Sequence, residues 1–284
     1  MDNNLQTISD DMDNIVTSFN NDDTDTLMEL SGQGKSPKAS QGLSRLNINY
    51  DVETEDGESL TRGDWKMMYE GEMVYTKTPI LRPILRTFEW SVFDADQQGF
   101  SCKSVQKPSL SGDFPDTEGG NKCGRLSASE EETLSDDDPS KIRSKQSVCN
   151  QVLYSVVSGD FKKGNGEVVK VENHPVVAYF KRSGFVPIRN FIDSLTKQKK
   201  IMQKCNIALG TSKQKKGSVT YWVPVPTLHS ETTISAEDKE LMKKFADTVK
   251  AHNQSVLEQN RESTKLVPNS SDDSLADDFH AAAV

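Results

Sequence analysis

The stretch IRNFIDSLTKQKKIMQKCNIALGTSKQKKG, residues 188–217, is where the interpretation of this sequence starts. Its apolar residues recur at steps of three, four and seven with lysines between them, which is typical of an amphipathic helix with a cationic outer face. These apolar residues are Ile188, Phe191, Ile192, Leu195, Met202, Cys205 and Leu209. Pro187 suits a first helical turn and Gly210 suits a left-handed cap, so the pattern predicts one helix between them.

A basic pentapeptide occurs twice in this stretch. Residues 196–200 read TKQKK and residues 212–216 read SKQKK, and we expect the second copy in a loop closed by Gly217. Lysines neutralise phosphates, and aromatic rings in the following strand stack on unpaired bases. The predicted nucleic-acid or nucleoprotein-binding residues are Lys197, Lys199, Lys200, Lys204, Lys213, Lys215, Lys216, Tyr221 and Trp222. The alternatives are a solvated helix face, a core position for Trp222, or a nuclear localisation signal.

The charge of the chain is divided sharply. The 284 residues carry a net charge of −9. Residues 141–229 hold 16 Lys and Arg against four acidic residues, a net +12, which leaves −21 for the rest. With 34% hydrophobic residues and a mean hydropathy of −0.65, the chain has too little apolar material to fold throughout. We therefore expect one basic folded domain with acidic, disordered segments around it.

The predicted fold class is α+β, with a single basic C-terminal domain at residues 147–265. Alternating apolar residues on either side of the turn at residues 163–166 predict a hairpin. The predicted order is hairpin, basic helix, strand and a last helix, which Ser235 and Asp238 cap as an S-x-x-D box. Residues 266–284 form an acidic tail.

The N-terminal half is predicted to be acidic and largely disordered. Residues 1–20 favour a short amphipathic helix that binds a partner, or alternatively docks on the protein's own core. Its apolar face consists of Leu5, Ile8, Met12, Ile15, Val16 and Phe19. Residues 21–63 and 106–146 have the composition of disordered linkers.

Residues 64–105 are apolar and rich in strand formers. Phe88, Trp90 and Val92 alternate with polar residues after a tandem Pro-Ile-Leu-Arg repeat at 79–86. This segment is too short for a full core. It either associates with a second copy of the chain to form a homo-oligomer or adds strands to the C-terminal domain.

Serines followed by acidic residues are typical substrates of acidophilic kinases, and each phosphate adds about −1.5 to −2 charges. The predicted phosphorylation sites are Ser127, Ser129, Ser135 and Ser270.

No pattern in the sequence indicates catalysis. The four histidines and four cysteines do not occur at metal-ligand spacing, so we expect no metal, no cofactor and no enzyme. No apolar stretch approaches the roughly 18 residues of a membrane span. We expect reduced thiols in the cytoplasm or the nucleus.

The arrangement of an acidic partner helix, phosphorylatable linkers, a central associating element and a basic C-terminal domain resembles the phosphoprotein of a non-segmented negative-strand RNA virus, rhabdovirus-like in length. The resemblance implies a non-catalytic cofactor of RNA replication in the host cytoplasm. As an adaptor it links the polymerase to the nucleoprotein–RNA template, and as a chaperone it keeps new nucleoprotein off stray RNA. The alternative is a single-stranded RNA-binding effector, such as a silencing suppressor or a movement protein, acting through the basic domain.

Overall fold

The computed structural model describes residues 43–54, 57–94, 96 and 98–266, and its main feature is one ten-stranded, almost entirely antiparallel sheet. The strands are β1 (Ser44–Arg45), β2 (Asn47–Ile48), β3 (Trp65–Tyr69), β4 (Glu72–Thr76), β5 (Ile80–Asp94), β6 (Gly99–Lys103), β7 (Val148–Lys163), β8 (Val168–Lys181), β9 (Cys205–Lys216) and β10 (Val219–Glu231). The helices are α1 (Ala128–Thr133), α2 (Pro139–Gln146), α3 (Phe185–Lys197) and α4 (Ala236–Leu266), with short 3-10 turns at Lys122–Gly124, Arg182–Gly184 and Met202–Lys204.

The predicted α+β fold with a disordered N-terminal half is wrong. Residues 44–103 supply six of the ten strands. Strand β5 pairs with β7 from Ile80↔Ser158 to Ser91↔Val148, so residues 64–105 belong to the same sheet as the C-terminal part. The acidic composition, averaged over long segments, concealed short alternating stretches such as β3, in which Trp65 is buried and the next residue is not.

Strand β7 organises the sheet. One of its edges pairs with β5, which leads through β9 to β10, and its other edge pairs with β8. Near the C-terminal end of β7, beyond the residues that pair with β5, strand β4 takes the place of β5, at Val74↔Lys163. Since β4 pairs with β3, β3 with β2, and β1 runs parallel to β8, these strands close into a ring. Leu46, between β1 and β2, is buried in the core that this ring surrounds.

The apolar side chains of the ring and of helix α3 form the main core. From the strands it takes Leu46, Trp65, Met67, Val74, Leu81, Leu153, Val157, Phe161, Val171, Val176, Ala178, Phe180, Ile207 and Leu209. Helix α3 adds Ile188 and Ile192 and buries Leu195 as well, at the spacing that the sequence predicts. The helix prediction is thus confirmed for this first part of the stretch.

The prediction of one helix up to Gly210 is wrong for the second part. Helix α3 ends at Lys197, where Lys199 takes the left-handed conformation (φ +58°) and its backbone N–H donates to the carbonyl of Thr196. The chain then enters β9, in which Cys205 and its alternate neighbours are buried. Residues four apart also share one face of a strand, so the apolar spacing after α3 fits both periods. Gly210 lies within β9 opposite Val225.

Helix α4 packs against β5 and is fixed at its start. The predicted cap is confirmed: the backbone N–H of Asp238 donates to Ser235 Oγ, and the backbone N–H of Ser235 donates to the Asp238 carboxylate. The same carboxylate accepts two hydrogen bonds of 2.6 Å from the guanidinium of Arg82. Farther along, Phe245 contacts Tyr154 of β7.

Residues 106–146 are not the predicted disordered linker. They contain α1 and α2, and a loop is organised around the buried Asp116. The Asp116 carboxylate accepts hydrogen bonds from the backbone N–H groups of Glu118, Gly120 and Cys123. Such local side-chain bonds replace regular secondary structure, which is why the composition resembled a linker.

Candidate nucleic-acid interface

The predicted basic site divides into two groups of lysines. Lys197 is the last residue of α3, and Lys199, Lys200 and Lys204 lie between α3 and β9. Lys213, Lys215 and Lys216 lie at the far end of β9. Since a strand advances about 3.3 Å per residue, Lys204 and Lys213 are roughly 30 Å apart. Lys200 is also paired with Glu231 at 2.8 Å. The seven lysines therefore do not form one binding surface.

The hairpin of β9 and β10 separates the two predicted stacking residues as well. Trp222 lies directly opposite Lys213, so their side chains share one face. Tyr221 lies opposite Gln214 on the other face. Because neighbouring residues of a strand point to opposite sides, Tyr221 and Trp222 cannot stack on the same run of bases.

Trp222 is held against the loop that follows β2. Its ring meets that of Tyr50 edge to face, with centroids 5.6 Å apart, and Tyr50 is 49% exposed. It also lies over Gly63 (φ +92°), where a Cβ atom would come within 2.3 Å of the indole. Thr211 donates to the carbonyl of Gly63 at 2.7 Å and ties this loop to β9. The loop and β10 thus bring two aromatic rings into contact.

Three adjoining clefts extend from Trp222 across the end of the sheet, with volumes of about 180, 90 and 200 Å³. All three are lined by Lys181, and the first two also share Tyr179. We call this surface the aromatic–basic groove. It consists of the aromatic residues Trp222, Tyr50, Tyr179, Phe100 and Phe93, the cations Arg45, Lys103, Lys181 and Arg182, and the polar residues Asn47, Asn150 and Glu89.

Cations and rings are already paired along the groove. The guanidinium of Arg45 lies 4.8 Å from the ring centroid of Tyr179, and the ammonium of Lys103 lies 4.6 Å from that of Phe100. Phe100 and Phe93 meet edge to face at 5.6 Å, although they are 38% and 55% exposed. Large aromatic side chains that remain open to solvent in a cluster commonly mark a binding surface.

The groove is positive although the chain as a whole is acidic. None of its four cations forms a salt bridge with a carboxylate in the part of the chain that the structure describes, whereas Lys163 elsewhere contacts two. Partial desolvation, together with the neighbouring Arg182 and Arg45, lowers the pKa of Lys181. A bound polyanion would relieve this crowding of positive charge.

Glu89 is the acidic residue that lines the groove. It is 4% exposed, and burial raises the pKa of its carboxyl group. The nearby imidazole of His252, with Nε2 3.9 Å away, acts in the opposite direction. The groove cations Lys103 and Arg45 act in the same direction as His252.

One group of side chains elsewhere has the composition of a metal site. Cys102, Asp116 and Cys123 are buried, and their ligand atoms lie within 4.8 Å of one another. The Asp116 carboxylate, however, already accepts the three backbone hydrogen bonds described above. The Cys123 thiol donates to the carbonyl of Trp90 at 3.4 Å, and a hydrogen bond with Cys102, followed by burial, raises its pKa. These groups order a loop rather than present free ligands.

The predicted modification and partner sites have different outcomes. Ser127 caps α1, and its side chain is bonded to Glu130. Ser129 and Ser135 are exposed, and phosphorylation of all three remains a prediction. Ser270 lies outside the described residues, as do the six apolar residues of the predicted partner helix, Leu5, Ile8, Met12, Ile15, Val16 and Phe19.

Comparisons with models of protein families, with curated proteins and with solved structures found no match to this chain. The resemblance to viral phosphoproteins, the adaptor function and the absence of enzymatic activity therefore stay predictions. Among the helices of the described residues, none has both the length and the apolar character needed to cross a membrane.

The sequence singled out Trp222 but not the other residues of the groove. Arg45, Tyr179 and Phe100 come from three different strands, and each looks like an ordinary surface residue in its own segment. The feature of the sequence that could have indicated the groove was the adjacent basic pair Lys181 and Arg182. This pair was included in the charge of residues 141–229, but it is not part of the repeated pentapeptide on which the prediction of the site was based.

Proposed function

We propose that this protein binds single-stranded nucleic acid along the aromatic–basic groove. The observation that carries the proposal is the joining, in three adjoining clefts, of five aromatic residues that are not fully buried and four cations that form no salt bridge within the described residues. Proteins that bind single strands combine a positive groove that follows the phosphates with aromatic rings on which the bases stack. The groove offers both components in one place.

The arrangement of the rings favours a single strand over a duplex. Stacking on a protein ring needs a base whose face is free, and the bases of a duplex are stacked on each other. Trp222 with Tyr50, then Tyr179, then Phe100 with Phe93 offer three successive stacking positions. Lys213 and Lys215 continue the positive charge beyond Trp222, since both lie on its face of the hairpin.

The test uses fluorescence anisotropy with labelled single strands of about 15 nucleotides, as DNA and as RNA, and with a duplex of the same sequence. We expect both single strands to bind more tightly than the duplex. Trp222→Ala should weaken binding roughly 5- to 150-fold, because stacking contributes about 1–3 kcal/mol per base. Tyr221→Ala is the matched control on the opposite face of the same strand, and it should leave the affinity unchanged.

The cations are tested by salt dependence. Four phosphate contacts on a single strand give a slope of log K against log salt of about −2.8. The double variant Lys181→Gln, Arg182→Gln should reduce this slope by about 1.4. The control Lys199→Gln, Lys204→Gln alters lysines at the far end of β9 and should preserve it. Equal effects of the two double variants, or equal effects of the Trp222 and Tyr221 changes, would contradict binding in the groove.

Of the two functions that the sequence suggests, the groove supports direct nucleic-acid binding. The replication-adaptor function has a separate test, which is whether residues 1–20 fused to a carrier capture a nucleoprotein. Capture without any binding of nucleic acid by the full chain would favour the adaptor.

A further inference from the structure

The middle cleft of the groove has a polar floor built from neighbouring strands. Glu89 of β5 lies opposite Asn150 of β7, which in turn lies opposite Lys181 of β8. Residues opposite each other in a sheet share one face and lie about 5 Å apart, so these three form a row across the floor. Glu89 and Asn150 are 4% and 3% exposed, yet both line the cleft.

The carboxyl group of Glu89 is held in a fixed orientation. Gln106 donates from Nε2 to Glu89 Oε2 at 2.8 Å. The other end of the same amide, Gln106 Oε1, accepts hydrogen bonds from the hydroxyl groups of Thr87 and Tyr154, both at 2.9 Å. Because an ionised carboxylate only accepts hydrogen bonds, the amide of Gln106 must present its nitrogen to Glu89, and the two hydroxyl groups then donate to its oxygen. The Glu89 carboxyl group is therefore positioned before any ligand arrives.

Two hydrogen-bond acceptors on this floor have no donor among the residues that the structure describes. Asn150 uses its amide nitrogen to donate to Ser91 Oγ at 2.8 Å, which leaves Oδ1 for another partner. Within the described part of the chain, neither Asn150 Oδ1 nor Glu89 Oε1 receives a hydrogen bond. Neither atom is among the fully buried atoms that lack a partner, so both are open to the cleft and can accept hydrogen bonds from a ligand that brings donors.

We propose that the middle cleft is a subsite that selects guanine in a bound single strand; the inference rests on the proposed nucleic-acid binding. Guanine presents two adjacent donors, N1–H and the N2 amino group, on its Watson–Crick edge. Thymine and uracil present one donor between two acceptors, and adenine and cytosine present a single amino group. Guanine alone thus supplies a donor to both Glu89 and Asn150. Tyr179 and Phe100 line the same cleft and would be the aromatic neighbours of the base.

Rejection of the other bases follows from the same geometry. A site built to accept hydrogen bonds discriminates strongly against a base that lacks the donors, because its buried acceptors are then left unpaired. Thymine would in addition place carbonyl oxygens against the acceptors of the floor.

The experiment compares an all-thymine single strand of about 15 nucleotides with strands in which one central thymine is replaced by guanine, adenine, cytosine or hypoxanthine. We expect the guanine strand to bind roughly 10- to 100-fold more tightly than the all-thymine strand, the range of a good bidentate base contact. Hypoxanthine, which lacks the N2 amino group, should lose part of this gain.

Two variants test the acceptors. Glu89→Gln keeps the shape of the side chain, and it should abolish most of the ratio between the affinities for the guanine strand and the all-thymine strand, whatever its effect on the binding of both. Asn150→Ser shortens the second acceptor and should reduce the preference independently. Thermal melting of each variant shows whether the fold is intact, and if one variant unfolds, the other decides.

The outcomes separate this inference from the proposed function. Equal binding of the guanine and thymine strands by the unaltered protein overturns the guanine subsite and leaves nucleic-acid binding standing. A preference that survives in Glu89→Gln and Asn150→Ser also overturns it. Binding of none of the strands overturns the proposed function itself.

Discussion

The ion pair between Arg82 and Asp238 should control the docking of helix α4 on the sheet. The two side chains are 11% and 8% exposed and are joined by two hydrogen bonds of 2.6 Å. Asp238→Asn removes the charge but keeps the size of the side chain, and it leaves the Arg82 guanidinium without its counter-charge. Breaking a buried pair in this way costs about 3–5 kcal/mol. We expect that loss in the free energy of unfolding at neutral pH.

The pH dependence gives a second, independent magnitude. Hydrogen bonds from Arg82 hold the pKa of Asp238 at about 2, against an ordinary value of 3.8. Because the folded-state pKa is depressed, the stabilisation is complete above pH 4 and is lost as the pH falls towards 2. A shift of this size corresponds to about 2 kcal/mol. The Asn variant should lack this part of the acid-induced loss.

The assay is urea denaturation followed by circular dichroism at neutral pH and at several values between pH 2 and 5. Asp247→Asn is the matched control, because Asp247 lies on the same helix and is exposed, with Lys250 as its neighbour at 3.5 Å. It should change the stability by less than about 1 kcal/mol. An Asp238 variant as stable as this control, or one with the same acid limb as the unaltered protein, would refute the reasoning.

Two further predictions concern the packing around the groove and the thiols. Gly63→Ala should lower both the stability and the affinity for single strands, since its Cβ would meet the Trp222 ring at 2.3 Å. The control Gly71→Ala has a similar φ of +89° but open space around it, so it should lower the stability without affecting the affinity. Denaturation measures the stability of each variant, and fluorescence anisotropy measures its affinity. Cys102, Cys123 and Cys205 are free but buried, so a thiol reagent should modify them slowly in the native protein and rapidly in denaturant. Rapid modification of these three cysteines in the native protein would contradict this packing.

Local patterns in the sequence predicted local structure well. The alternation of β7 and β8 around their turn, the apolar face of α3 and the Ser235 cap all depend on residues close together in the chain. The ring of strands depends on distant pairings such as Ser44↔Val176 and Asn47↔Lys66. Strands of two residues carry no periodic pattern, so their partners could not be predicted from the sequence.

The groove was hidden for a related reason. The lysine repeat looked like one surface because its two copies are close in sequence, but β9 is extended and places them far apart. In contrast, Arg45 and Tyr179 are distant in sequence, and the ring brings them within 4.8 Å of each other. The sequence therefore predicted the kinds of residue that line the proposed groove, cations and aromatic rings, but not their location.

An acidic protein can bind a polyanion through such a groove because salt shortens the range of charge interactions. The net charge of −9 repels a nucleic acid at long range. At about 0.15 M salt the screening length is about 8 Å, so a phosphate in the groove interacts mainly with the four cations beside it. At low salt the repulsion extends farther and opposes the attraction, which should flatten the salt dependence there. The slope of log K against log salt should therefore reach about −2.8 only from about 0.1 M salt upward. If the four cations of the groove did not contact the phosphates, this slope would be absent at these salt concentrations.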